Sequence, residues 1–138
     1  MGSALITLDT SAIFALLDRR EHDHERVKQG YLEDGGPYLV PAGILGEVGY
    51  VVERWLGASA LDAVLGDLED RAFVLECGEE DVPRIRELVA RYSDLPLGFA
   101  DAAVIACTER HGGKVLTLDR DFAVVAREGV ISLVPDSV

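Results

Sequence analysis

Short apolar runs alternate along the chain with segments whose apolar residues recur every three or four positions. "ALITLD" reads as a buried strand, and "SAIFALLD" opens a helix that Thr10 or Ser11 could cap. A polar helix over "HDHERVKQGYLED" stops at Gly35-Gly36, and "PYLVP" is a short strand. "AGILGEVGYVVERWL" is helical, with Ile44, Val48, Val51, Val52 and Trp55 on one stripe, and Gly57 breaks it. Then come a helix over "ASALDAVLGDLED", a strand over "AFVLEC" and a helix over "EEDVPRIRELVARYS". The connection "DLPLG" leads to the helix "GFADAAVIACTERH", followed by the strand "KVLTLD", the short helix "RDFAVVARE" and the strand "VISLVP".

Strand alternating with helix predicts an α/β fold with a mostly parallel sheet covered on both faces. No linker, repeat or low-complexity tract interrupts the pattern, so residues 1–138 are expected to form one domain. Hydrophobic residues make up 49%, which excludes disorder as a class. No apolar run reaches the roughly 20 residues of a membrane span. "MGS" leads directly into a strand-like segment, so no signal peptide is expected. Cys77 and Cys107 stand alone in apolar surroundings and read as small core residues rather than a disulfide scaffold. A cytoplasmic location follows as the default.

Charge changes the picture. Twenty-five acids against 13 bases give a net charge of −12, which disfavours gripping nucleic acid through a basic surface. Two routes to a ligand stay open: bound cations that reverse the sign locally, or a basic protein partner.

Four of the acids occupy unusual places. In open α/β sheets ligands bind beyond the carboxyl ends of the strands. Asp9 and Asp119 both sit there, in the near-repeated phrases "ITLD" and "LTLD". Asp101 opens the helix "FADAAVIACTER", and Glu47 lies at the margin of the apolar stripe that includes Trp55. Singly, each has an ordinary explanation. Asp9, Asp101 and Asp119 suit helix starts, where the dipole favours negative charge, and Glu47 could pair with Arg54. Jointly they could point into one crevice, where unpaired carboxylates would repel one another and take up protons. Divalent cations relieve that cost, and oxygen donors suit Mg²⁺ or Mn²⁺.

Other constellations are weaker. His22 and His24 lie in a charged stretch and read as surface residues; His111 reads as a helix-end residue. No Gly-rich phosphate loop, zinc pattern or nucleophilic-serine elbow is present. Tyr31, Tyr38, Tyr50 and Tyr92 are scattered and make no stacking platform. Eleven of the 13 bases are arginine. Salt bridging explains Arg19, Arg20, Arg26 and Arg120, although Arg19 or Arg120 could also meet a phosphate. A receiver-like signalling domain would need an Asp at a middle strand end and a Lys after the last strand; "AFVLEC" and "VISLVP" supply neither.

"LDTSAIFALL", a Glu within the helix after "LVP", "FADAAVIA" and "VLTLDRDF", in this order, resemble a PIN domain and more closely the VapC toxins of bacterial toxin–antitoxin pairs. The resemblance covers essentially the whole chain. It implies a three-layer α/β/α sandwich around a five-stranded, mostly parallel sheet. It also implies an Mg²⁺- or Mn²⁺-dependent endoribonuclease whose four acids, both catalytic and metal-binding, fall on Asp9, Glu47, Asp101 and Asp119. Thr10 or Ser11 would orient Asp9 or a water, and Asp121 competes with Asp119 for the last position. The implied partners are substrate RNA, an inhibiting VapB-type antitoxin and a second copy of the chain in a homodimer, with promoter DNA reached only through the antitoxin. A catalytically inert PIN-fold scaffold that only binds protein is the alternative. Gly43, Gly46 and Gly49 depart from an ideal helix, and predict either a looser segment or close packing around Glu47.

Overall fold

A sheet covered on both faces has no solvent side, and its central strands are accordingly buried at every position. In the computed structural model, which describes residues 5–76, 78–95, 97–126 and 131–134, the strands are β1 (Ile6–Leu8), β2 (Tyr38–Pro41), β3 (Phe73–Glu76), β4 (Lys114–Leu116) and β5 (Ser132–Val134). Every residue of β1 and β2 is buried. The strands lie in the order β3-β2-β1-β4-β5, and every adjacent pair is parallel. Ile6 is the hub of the register, opposite Tyr38 on one side and Lys114 on the other.

The helices are α1 (Thr10–Leu17), α2 (His24–Asp34), α3 (Leu45–Leu56), α4 (Ala58–Glu69), α5 (Val82–Arg91), α6 (Phe99–Arg110) and α7 (Phe122–Ala126). Single 3₁₀ turns, Ala42–Ile44 and Glu79–Asp81, lead into α3 and α5. From β1 to β3 the chain steps one way across the sheet, and it returns the other way through β4 and β5. Right-handed crossovers therefore put α1 to α4 on one face and α5 to α7 on the other. The result is the expected three-layer sandwich, with the sheet wholly parallel rather than mostly so.

Helix α6 explains how the middle layer closes. Residues 102 to 108 are all buried, as in a helix that is apolar all round, and it packs across β1, β2 and β4. Its far end is anchored by ion pairs: Arg84 grips Glu109 through two 2.8 Å hydrogen bonds, and Arg110 reaches the buried Asp81 at 2.9 Å. Its first turn is left facing the carboxyl ends of the strands. Gly43 permits that approach, since a Cβ there would stand 2.9 Å from Ala103 Cβ. Gly46 and Gly49 meet nothing within 4 Å, so close packing explains only the first glycine of the series. Gly57, at φ 94°, makes the sharp turn from α3 to α4 that favours glycine.

Three local expectations are corrected. Ile44 of the preceding 3₁₀ turn and Val48 and Val52 of α3 form the buried row, but Trp55 is 63% exposed. It belongs to the neighbouring row, Glu47–Val51–Trp55, which turns toward a pocket rather than the core. His24 is buried, with Nδ1 2.6 Å from the Ala15 carbonyl oxygen, whereas His22 stays exposed. The contact staples α2 to α1, which the charged sequence around His24 disguises. Cys107 is fully buried but is disulfide-bonded rather than a free thiol; Cys77 lies outside the described residues. Among the described residues no helix is long and apolar enough to cross a membrane.

Candidate functional site

Between β1 and β4 the chain order reverses, making this the topological switch point of the sheet, where open α/β folds place ligands. A cavity of about 540 Å³ opens there. Asp9, Asp101, Asp119 and Glu47 all line it, together with Thr10 and Ser11. Asp121 does not line it. Its backbone N–H instead donates to Asp119 Oδ1 at 2.9 Å, a turn contact that fixes the loop carrying Asp119.

Each acid arrives by a different route. Asp9 leaves β1 and is itself the N-cap of α1, its Oδ1 accepting from Ala12 N–H at 2.9 Å. The cap and the pocket acid are one residue, so the two readings of Asp9 do not compete. Ser11 Oγ donates to the same Oδ1 at 2.8 Å, and Thr117 Oγ1 donates to Oδ2. Glu47 stands in the first turn of α3 and accepts a hydrogen bond from Thr10 Oγ1 at 2.5 Å. Its expected partner Arg54 lies instead over the Trp55 ring, 5.3 Å from the centroid. Asp101 emerges from the first turn of α6.

Thr117 is the residue that sequence reasoning missed. It is buried just past the end of β4, where it donates to Asp9 and accepts from Asp119 N–H at 2.9 Å. Ser11 adds a second stitch by accepting from Leu118 N–H at 2.9 Å. Asp9 N–H reaches the Leu116 carbonyl at 3.3 Å. The turns after β1 and β4 are thus sewn together through hydroxyls, which fixes Asp9 relative to Asp119. The signal was present in the repeated phrases: Thr7 and Thr117 each precede an Asp by two positions. Thr7 stays inside β1 with its hydroxyl buried and unpartnered, so the repeat alone does not tell which threonine reaches the site.

Electrostatics show the cost of the arrangement. Burial pushes the Asp9 carboxyl up to about 6, against three lowering hydrogen bonds from Thr117, Ala12 and Ser11, and Asp119 adds repulsion. Asp101 is also pushed up to about 6, by burial first and then by the charges of Asp119, Asp9, Glu47 and Asp121. Among the described residues no three His, Cys, Asp or Glu side chains are drawn close enough to enclose an ion. The donor set is nevertheless all oxygen, four carboxylates with hydroxyls behind them, and carries uncompensated negative charge. That chemistry fits a small hard divalent cation and not a soft one.

Beyond the acids, the cavity is walled by Phe14, Val51, Trp55 and Val104. Away from it, Arg20 and Arg26 pair with Asp18 and Asp23, and Tyr31 stacks on Tyr38 with centroids 4.0 Å apart.

The PIN domain family matches residues 6–128. Ribonuclease VapC26 of Mycobacterium tuberculosis is 33% identical over 115 residues, which cover 82% of this chain and 85% of that protein. Among solved structures, VapC20 of Mycobacterium tuberculosis, a sarcin–ricin-loop-cleaving toxin, superposes with a TM-score of 0.77 at 20% identity, covering 91% of this chain and 96% of that one. FitAcB from Neisseria gonorrhoeae gives 0.66 at 19% identity, over 94% and 96% of the two chains. At those identities the two structures speak for the fold. With the family pattern spanning residues 6–128 and a third of positions shared across most of both sequences, this chain belongs to the PIN domain family and is of the VapC type.

Proposed function

We propose that the protein is a metal-dependent endoribonuclease toxin held in check by a VapB-type antitoxin. The observation that carries the reading is the meeting of Asp9, Glu47, Asp101 and Asp119 in one cavity at the switch point of the sheet. The ribonuclease named among its relatives supports the same activity.

Asp9, Asp101 and Asp119 would hold Mg²⁺ or Mn²⁺, with Glu47 as a further ligand or as the group that orients water. When bound, the ion supplies Lewis acidity and offsets the charge that builds on a phosphodiester under attack. The chain's own part is positioning. Asp9 is held by the Ala12, Ser11 and Thr117 donors, so neither of its oxygens needs to reorganise when a phosphate arrives. Glu47 is steadied by Thr10, and Asp119 by the backbone turn to Asp121. Water is the expected nucleophile, leaving a 5′-phosphate and a 3′-hydroxyl. Among the described residues no histidine lines the cavity to take a proton from a ribose 2′-hydroxyl.

The test is direct. Purified protein freed of any antitoxin should cut RNA with Mg²⁺ or Mn²⁺, stop with EDTA, and leave 5′-phosphate ends. Cleavage that persists in EDTA, or cyclic-phosphate ends, would count against the metal reading. Inactivity on every cellular RNA despite bound Mn²⁺ would leave the inert scaffold.

Thr117 gives a second, independent check. Thr117→Val keeps the shape but removes the hydroxyl that joins Asp9 to Asp119. Loss of such an outer support costs roughly 10–100-fold in metal affinity or activity. A variant that binds Mn²⁺ and cuts RNA as the parent does would show the stitch to be irrelevant. The net charge of −12 favours a basic antitoxin segment as the inhibitor, steered to the acidic pocket by complementary charge. The homodimer and promoter binding through the antitoxin belong to the same proposal.

A further inference from the structure

The pocket has two chemically distinct halves, and the acids account for only one. On α1, Thr10 and Phe14 are four residues apart and share a face; on α3, Glu47, Val51 and Trp55 do the same. All five line the cavity. At one end of these rows Thr10 hydrogen-bonds Glu47. At the other end stand Phe14 and Trp55. The Trp55 ring belongs to a residue 63% exposed, while Val48 and Val52 beside it on α3 are sealed in the core. Phe14, Val51 and Trp55 together make an apolar wall bordered by the acids, and a contiguous apolar patch rimmed by polar groups marks a contact site where a lone exposed aromatic would not. The chain has a single tryptophan, and it stands at this position.

We infer that Trp55 is the base-stacking platform of the active site, taking one unpaired nucleobase of the RNA while Arg54 meets the adjoining phosphate. This rests on the ribonuclease reading and adds where and how the strand is gripped. Glu47 and Trp55 are eight positions apart, about 12 Å along a helix, the span of a few nucleotides of single strand. A phosphate at the acids therefore leaves a base one to three nucleotides away within reach of the indole. Stacking suits a chain this acidic, because a π-face needs no basic surface and tolerates any base. The Arg54 guanidinium over the indole supplies a local cation at the same point. Glu21, also on the cavity wall, repels phosphate from its own edge. An apolar antitoxin side chain is the competing occupant. The neighbouring guanidinium favours RNA, since a basic antitoxin segment would meet a like charge.

Because Trp55 is the only tryptophan, its fluorescence reports the contact without any cleavage. In the non-cutting Asp101→Asn background, short oligo(A) RNA should quench it, oligo(U) should quench it less, and an abasic ribose at one position should relieve the quenching. In cleavage assays Trp55→Ala should raise KM roughly five- to hundredfold with kcat nearly unchanged, and Trp55→Phe should recover most of the loss. The side chain is exposed, so neither variant threatens the fold. Cleavage by the parent protein with unquenched fluorescence, and an unaltered KM in Trp55→Ala, would overturn the inference while leaving the ribonuclease reading intact. Quenching by a basic peptide but not by RNA would overturn it in favour of the protein partner. No RNA bound or cut by any form would remove both.

Discussion

Asp101→Asn should abolish RNA cleavage, by at least about a hundredfold, while the protein stays folded. A neutral amide is a far weaker donor to a hard cation than a carboxylate, and a metal's charge stabilisation is worth several kcal/mol. The fold has no stake in the charge. Helix α6 is secured by its buried residues 102 to 108, and Asp101 is surrounded by acids that disfavour its ionised form. Initial rates with Mn²⁺, beside circular dichroism of the same sample, make the measurement. Activity within a few-fold of the parent would sink the role given to Asp101. Asp119→Asn should behave the same way. Asp121→Asn should fall only a few-fold, because Asp121 supports the turn by its backbone and does not line the cavity. Mn²⁺ affinity should also weaken as pH falls through about 6, where protons compete for Asp9 and Asp101.

Asp9→Asn should raise the melting temperature of the metal-free protein at pH 7, the opposite of what losing a helix cap normally does. The amide oxygen can still accept from Ala12 and Ser11, so the cap survives. Thr117 can accept from the new NH₂ group and turn its own proton to Ser11, 3.4 Å away. What disappears is a buried charge. The folded Asp9 carboxyl titrates at about 6 against an ordinary 3.8, so the folded state binds the proton more tightly. Stability therefore falls as pH rises through that window, and the full penalty applies above it. At 1.36 kcal/mol per unit the shift corresponds to about 3 kcal/mol, or very roughly 10 °C at this chain length. The advantage of the Asn variant should shrink below pH 6 and vanish near pH 4. Mn²⁺ should close the gap, stabilising the parent by ~2.7 kcal/mol at a hundred times its Kd, and reverse the order at a thousand times its Kd, where it contributes ~4.1 kcal/mol. A variant less stable than the parent at pH 7, or a gap unchanged by acid, would show that the charge is not a burden.

Periodicity and turn chemistry carried the fold far. Gly35 and Gly57 ended helices where the pattern says they should, and five apolar runs became five strands. Boundaries moved by one to a few residues, as where the first turn before α3 tightened to 3₁₀ at Ala42–Ile44 and where α2 began at His24 rather than His22. The four acids were legible because each broke a local rule: a carboxylate at a strand mouth or beside an apolar stripe. Trp55 was misassigned because hydrophobicity alone cannot tell the core row of α3 from the row beside it. The two differ by a fraction of a turn, and only the position of α1 and α6 decides which one meets water.

By itself, then, the sequence determined the elements, their parallel arrangement and the four acids, because these depend on interactions within a few residues or on a repeating period. Tertiary structure decided what distant segments do to one another. It chose Thr117 over Thr7 as the hydroxyl that joins Asp9 to Asp119, and it put Asp119 rather than Asp121 on the cavity wall. It also set the carboxyls of Asp9 and Asp101 near 6. Desolvation and repulsion between carboxylates depend on separations in space, and acids at positions 9, 101 and 119 acquire those only when β1 and β4 pair and α6 crosses both.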